Sequence, residues 1–446
     1  MNKIHNIITA TLLCSLMSGC GLYSKYERSE EVEKIDNLYN YADADQSESI
    51  ASLSWRELFT DVKLQALIES GLKSNTDLNI ARENLKQAEI ALHTARLAFI
   101  PSLSLSPTGQ TSSLAGDVSK SYSISASSSW EVDIFGKLRN AKEQSKAAME
   151  QSKAYQQAIE TELIAAIAGS YYSLLLLDEQ LEISTKTAEN WDDNYRVMSA
   201  LMRAGRINQT SVLQTDASRI SLKRSIVAIK QQIKELENSL SSLLAIEPQK
   251  IERGTMQQTS FPDKLSVGVP LELLSRRPDV RAAELGLAQA FYATAEARSS
   301  LYPSITLTGS AAYTGDMLYS LIGSLVQPIF NRGVLRAEVK ISASEQEQAL
   351  LSFKQALLDA GIEVNTALIS WQGAREKIEY DLLQMEVLAK AVKSSEMLLK
   401  HGNVNYLEVL TAQLSLLSSE LTYSENKYAE IQGVIDLYRS LGGGAQ

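Results

Sequence analysis

One pattern runs through this chain twice. Asp77 recurs as Asp279, and Phe99-Ile100-Pro101-Ser102-Leu103 recurs as Leu301-Tyr302-Pro303-Ser304-Ile305, both 202 residues further on (279 − 77, 303 − 101). Asp133-Ile134-Phe135-Gly136 has its counterpart in Pro328-Ile329-Phe330-Asn331 at 195 (330 − 135), and Gly205-Arg206-Ile207-Asn208 in Gly402-Asn403-Val404-Asn405 at 197 (402 − 205). Landmarks kept in one order at a nearly constant offset mean a single architectural unit used in tandem. The offset far exceeds a solenoid period, so it predicts two large pseudo-equivalent halves, 51–250 and 273–446, with a Pro/Gly-punctuated linker over 251–272.

Each half changes period once. From Trp55 to Phe99 apolar residues recur at helical spacing (Leu64, Leu67, Ile68, Leu72, then Leu78, Ala81, Leu85), with Ser74-Asn75-Thr76 as an internal break and cap. After Pro101 the period becomes two: Tyr122, Ile124, Ala126, Trp130 and Val132 alternate with serines, Glu131 and Asp133. Strands are predicted at about 102–113, 121–135, 304–314 and 317–330. Beyond each hairpin comes helix-former sequence far longer than globular helices run. Leu222, Ile226, Ile229, Ile233, Leu236 and Leu240, and again Leu407, Leu410, Leu414, Leu417 and Leu421, advance by fours and threes, a coiled-coil seam. The glycines at 205 and 402 mark turns between paired long helices.

A soluble sheet shows the same alternation. Two features favour a membrane sheet here: two hairpins are too few for a large sandwich, and they sit between very long helices. Strands of this length also suit a transmembrane barrel. So few strands cannot close alone, so the chain must oligomerise, each copy contributing two hairpins.

The N-terminus reads as an exported one. Lys3 precedes an apolar run, Ile7 to Met17, too short to span a bilayer; 1–19 is therefore predicted to be a signal peptide. Met17-Ser18-Gly19-Cys20 resembles the bacterial lipobox, although Leu is usual where Met17 stands. Lipidation at Cys20 is expected, with 20–50 an extended polar tether, and Gly21 in place of Asp points to the outer membrane. No later segment reads as a transmembrane helix, so any crossing must use strands. The net charge of −10 disfavours nucleic acid. Cys14 and Cys20 are the only cysteines, and His5, His93 and His401 are scattered, so no disulfide framework, metal site or catalytic constellation is expected. No phosphate-binding glycine loop occurs; no cofactor and no enzyme activity are expected.

Several strings together resemble TolC-like outer-membrane factors, specifically the lipoprotein branch serving resistance-nodulation-division (RND) efflux pumps. They are the lipobox at Cys20, Leu274-Ser275-Arg276-Arg277-Pro278-Asp279-Val280-Arg281-Ala282-Ala283-Glu284, Leu301 to Ile305, Pro328-Ile329-Phe330, Asn405-Tyr406-Leu407-Glu408-Val409-Leu410-Thr411-Ala412-Gln413, and Leu441-Gly442-Gly443-Gly444. The resemblance implies a mainly α fold with a small β part and a homotrimer. Its hairpins would close a twelve-stranded outer-membrane barrel, and its coiled coils would form a periplasmic tunnel. It further implies an exit duct fed by an inner-membrane RND pump and a periplasmic adaptor (membrane fusion protein). The periplasmic gate would fall at Leu407, with Thr411 where relatives often carry a gate-forming Asp and Glu408 as a nearby acid. The turns Gly205-Arg206 and Gly402-Asn403 would meet the adaptor. Each has a plainer reading too: Leu407 as a seam residue, Glu408 and Thr411 as solvated surface, the glycines as helix caps. Arg276, Arg277 and Asp279 read as a helix-start cluster around Pro278. An ABC-driven secretion duct and a non-conducting envelope lipoprotein are the alternative functions.

Overall fold

A computed structural model describes residues 24–28, 53–114, 117–256, 277–314, 316–400 and 406–443. The signal peptide, Cys20, most of the 251–272 linker, Arg276, Gly402 and Asn403 lie outside the described residues. In chain order the elements are α1 (Trp55–Leu58), α2 (Val62–Ser74), α3 (Thr76–Leu97), β1 (Ser102–Leu114), β2 (Asp117–Val132), α4 (Lys137–Arg203) and α5 (Gln209–Leu243). The second half gives α6 (Pro278–Ser299), β3 (Ser304–Tyr313), β4 (Met317–Val326), α7 (Val334–Lys400) and α8 (Tyr406–Ser440).

The repeat holds residue for residue in the helices. α3 and α6 both have 22 residues, α4 and α7 both 67, and α5 and α8 both 35. From α4 onward the offset is 197 (334 − 137, 406 − 209). At ~1.5 Å per residue, each long helix reaches about 100 Å. The compact units nevertheless cut across the repeats. One takes 1–36, 81–156 and 279–357, the other 37–80, 157–278 and 358–446, so each draws on both halves.

The first unit holds a single antiparallel sheet in the order β1-β2-β3-β4. Its register aligns side chains by chemistry. Leu105, Ala126, Ala311 and Tyr319 form one cross-sheet row, and Ser104, Ser127, Ser310 and Ser320 the row beside it. Successive residues point to opposite faces, so one face is apolar and the other is paved with hydroxyls. On β4 the separation is looser, because Leu318, Ile322 and Val326 share the hydroxyl side. Three strand ends differ from the expected bounds, the first being the start of β2 at Asp117 rather than 121. β2 stops at Val132 rather than 135 because the Asp133 carboxylate turns to cap α4, accepting from Leu138 N at 3.2 Å and Arg139 N at 3.0 Å. β4 stops at Val326 rather than 330, just before Pro328, which has no N–H for a ladder.

Of the extended tether expected over 20–50, residues 24–28 are described, and they pack on α6. Tyr26 packs edge-on against Phe291 of α6 with ring centroids 5.9 Å apart, and its N–H donates to the Tyr292 hydroxyl at 3.3 Å. Arg28 forks onto both carboxylate oxygens of Glu284, at 2.8 and 2.5 Å. The repeat explains why only α6 offers this berth. At an offset of 202, Glu284, Phe291 and Tyr292 correspond to Arg82, Glu89 and Ile90 of α3.

The second unit is helical. Phe59, Leu64, Ile68, Ile164, Ile167, Tyr171, Leu174 and Leu175 form its dry centre. By length and composition α4 contains a stretch apolar enough to cross a membrane, contrary to expectation. Half of that stretch is buried in the fold, so its apolar character is explained by packing. Helix starts are capped as their sequences specify: Ser54 and Glu57 form a reciprocal capping box on α1, and Asn75 accepts from Leu78 N at 2.9 Å at the head of α3. Pro278 takes the first position of α6. Arg277 beside it is buried, donating to Ser440 O at 2.6 Å and pairing with Glu363 at 2.8 Å. Arg253 pairs with Asp178 and Glu237 and anchors the chain as it leaves α5. α8 passes α7 backbone to backbone: a Cβ on Gly433 would sit 2.9 Å from the Trp371 Cα.

Candidate duct wall and gate

The sheet supplies a wall with two unlike sides. Ser104 and Ser127 hydroxyls meet at 2.6 Å, and Ser310 and Ser320 at 2.8 Å. Ser102 and Ser125 donate to the carbonyls of Ser129 and Ser106, each at 3.2 Å. Hydroxyls bonded this way still offer spare donor and acceptor capacity, so this side is wettable, and the charge it carries at Glu131, near the end of β2, is paired with Lys137 at 3.1 Å. The opposite side presents Leu105, Tyr319 and Leu321, at 70%, 88% and 83% exposure. Trp130 lies among them, but its indole N–H donates to Phe99 O at 3.0 Å. That bond ties the ring to the end of the preceding helix. Tyr122 is 75% exposed, as an interfacial aromatic requires.

Within the second unit, α8 begins with alternating fates. Val409 and Leu410 are buried in a cluster with Ala188, Trp191, Met198, Val212, Leu222 and Leu417. Leu407, Glu408 and Thr411 face outward, Leu407 at 46% exposure. The Thr411 hydroxyl donates to Leu407 O at 2.8 Å, so the two residues share one helical turn and the hydroxyl is engaged on its own backbone. Gly205 turns the chain from α4 into α5 with φ +69°. Arg206 N donates to Leu201 O at 3.0 Å and Gly205 N to Met202 O at 2.9 Å, the two bonds of a Schellman cap. Nothing lies within 4 Å of a Cβ built on Gly205, so the turn is open to a partner. Asn208 restarts the helix by accepting from Ser211 N at 3.1 Å. Ile207 and Val212 join the same cluster as Leu410, so this turn and the head of α8 are held together.

Two features here escaped the sequence reading. Arg219 of α5 bonds Asp192 of α4 at 2.8 Å and Asp216 at 2.7 Å, and lies over the Tyr195 ring at 4.5 Å; Lys223 adds a second bridge to Asp192 at 2.9 Å. The i,i+3 pair Asp216/Arg219 is visible in sequence, whereas Asp192 comes from another helix. The 197-residue counterparts are Ala389, Gln413, Leu416 and Glu420, so the second helical pair has no matching staple of charges. The other feature is a cavity of about 580 Å³, lined by Glu179, Glu182, Asp193, Glu396 and Glu420 with Lys186. Burial pushes the carboxyls of Glu179 and Glu420 above the ordinary range.

A sheet whose edges β1 and β4 are open among the described residues, apolar on one side and hydroxylated on the other, joined to paired long helices, defines an outer-membrane channel subunit. The chain belongs to the outer membrane efflux protein family, whose model matches residues 67–245 and 269–443. It is 27% identical over 443 residues to the cation efflux system protein CusC of Escherichia coli K12, covering 96% of this chain and 97% of that one. It is 26% identical over 461 residues to the probable outer membrane lipoprotein SilC of Salmonella typhimurium, covering 100% and 99%. Among solved structures, the open state of the Neisseria gonorrhoeae MtrE outer membrane channel superposes with a TM-score of 0.87 at 25% identity, covering 95% of this chain and 98% of that one. The protein resides in the outer membrane and is an exit duct of an efflux system, in a family of channels rather than enzymes.

Proposed function

We propose that three copies close one twelve-stranded barrel and that the duct passively conducts small molecules handed to it by an inner-membrane RND pump through a periplasmic adaptor. The sheet carries this reading. β1 and β4 are both free edges, and each unpaired backbone group would cost several kcal/mol against lipid. On β4, Met317, Tyr319, Leu321 and Leu325 share the apolar side and are each 58% exposed or more, and burying them in lipid is worth about 1–2 kcal/mol apiece. Joining β4 of one copy to β1 of the next pairs both edges, a head-to-tail contact of this kind closes a ring, and lipid covers the apolar side. The hydroxyl side then lines the water-filled bore.

In this reading Cys20 carries the lipid that holds the duct in the outer membrane. Leu407 of three copies forms an apolar constriction that opens when the adaptor engages the Gly205-Arg206 and Gly402-Asn403 turns. Glu408 and Thr411 flank the constriction. Substrate choice belongs to the pump, as a lining made mostly of hydroxyls discriminates little among solutes. Native mass measurement in detergent together with single-channel recording in planar bilayers tests the proposal. A trimer with discrete conductance steps is expected; a monomer, or an assembly that never conducts, contradicts it.

A further inference from the structure

The two repeats part company at one cavity. In the first half, Arg219 and Lys223 of α5 bring two cations onto Asp192 of α4, at 2.8 and 2.9 Å, and Arg219 lies over the Tyr195 ring. Moved on by 197, Tyr195, Asp216, Arg219 and Lys223 become Val392, Gln413, Leu416 and Glu420. All four line the cavity of about 580 Å³ between α4, α7 and α8. One half therefore has two cations where the other has a leucine and a carboxylate. The cavity wall is acidic as well: Glu179, Glu182, Asp193 and Glu396 join Glu420, with Lys186 as the one cation among the described residues that line it. Asp193 is matched by Arg196 at 2.9 Å. Glu179 is less well served, for its buried Oε2 meets no donor among the described residues. Burial raises the carboxyls of Glu179 and Glu420, although Lys186 opposes the effect at Glu420. Buried negative charge of this kind calls for a counter-charge.

We propose that this cavity binds a linear polyamine, with ammonium groups on Glu179, Glu420 and Glu396 and methylenes against Ile183, Trp191 and Leu417. The volume suits a small ligand. The acids fall at two levels along α4. Lys186, whose charge acts on Glu420, marks one level. Asn194 marks the other, joined through Gln413 to Glu396 by bonds of 3.4 and 3.0 Å. At ~1.5 Å per residue, roughly 12 Å of helix separates Lys186 from Asn194. One metal ion cannot bridge that span, and among the described residues no group of three or more acids, histidines or cysteines could hold a metal. A triamine or tetraamine bridges it with a cation at each end and apolar links between them. The side chains of Ile183, Leu417 and Trp191 line the same cavity, and the indole face also favours a neighbouring cation. Bound there, the amine ties α4 to α7 and α8, as Arg219 and Lys223 tie α5 to α4. The site lies within one chain, so it is independent of how copies assemble.

Calorimetric titration of the full-length protein in detergent with spermine, at constant ionic strength, tests the site. Saturable binding of one spermine per chain is expected, together with a higher melting temperature. Magnesium and butylamine should give neither. A magnesium effect equal to that of spermine would mean screening of a negative surface and overturns the proposal. Glu179→Gln with Glu420→Gln should weaken spermine binding about tenfold, since two charge-assisted contacts are lost. Leu416→Arg sets a guanidinium where Arg219 stands in the other half, and should abolish binding at unchanged helix content by circular dichroism. Lys186→Gln removes the competing cation and should tighten binding, a gain that misfolding cannot produce. Parent affinity in the double glutamine variant, or no gain in Lys186→Gln, overturns the assignment.

Discussion

Ser127 stands directly opposite Ser310 in the β2–β3 register, and each joins a further hydroxyl on its outer neighbour, Ser104 at 2.6 Å and Ser320 at 2.8 Å. The row spans the whole sheet and unites strands from both repeats. Because side chains alternate, it also fixes the opposite side as the one that meets lipid. Leu321→Arg, in mid-strand on that side, is expected to cost about 2–4 kcal/mol of membrane stability. The assay is the fraction of protein inserted into vesicles. Ser310→Asn on the hydroxyl side should insert like the parent protein and alter only conductance.

Leu407 and Thr411 make separable predictions. If Leu407 forms the proposed constriction, truncating it to Ala removes apolar contact there, so spontaneous open probability in planar bilayers should rise. Thr411→Val should leave gating near the parent level, because the Thr411 hydroxyl is already spent on Leu407 O. Equal effects from both substitutions would place the gate elsewhere.

Glu179 gives a pH dependence. Burial raises its carboxyl above the ordinary range, with the charge of Glu182 adding to this and the Ser424 hydroxyl and Lys427 opposing it. A carboxyl whose folded pKa lies above the unfolded one favours the fold when protonated and loses that contribution as pH rises through the folded value. Glu179→Gln should therefore raise the melting temperature at pH 8, and the gain should shrink as pH falls through the raised folded value and be gone below the ordinary carboxylate range. A gain independent of pH would assign the effect to packing.

The N-terminal segment is held by Arg28 on Glu284 and by Tyr26, whose hydroxyl pKa burial pushes up to about 12. Arg28→Ala should cost about 1 kcal/mol, the scale of a partly exposed ion pair, and should expose residues near 28 to limited proteolysis. Exchanging the charges, Arg28→Glu with Glu284→Arg, should restore protection. Unchanged digestion of Arg28→Ala would mean that the ion pair does not hold the segment.

Helix and strand identity was legible in sequence wherever one period held for many residues. The switch at Pro101 and Pro303, the break at Asn75 and the turn at Gly205 all fall where local chemistry demands them. Strand ends were less legible because they depend on competition: Asp133 alternates correctly for β2, yet its carboxylate has a better use at the head of α4. Contacts between distant segments left the weakest trace. Asp192 and Arg219 meet only because α4 and α5 fold side by side, and nothing in the polar run around Tyr26 marks Phe291 as its partner. The division into units was also hidden, since helices as long as α4 and α7 contribute to both.

Cysteine accessibility in reconstituted vesicles tests the central claim most directly, namely that this sheet walls a water-filled bore with its hydroxyl side. Single cysteines at Ser104, Ser127, Ser310 and Ser320 should react with a membrane-impermeant thiol reagent, whereas those at Leu105, Ala126, Ala311 and Tyr319 should react only with a lipid-soluble one. Uniform reactivity along both rows, or the inverse pattern, would contradict the account.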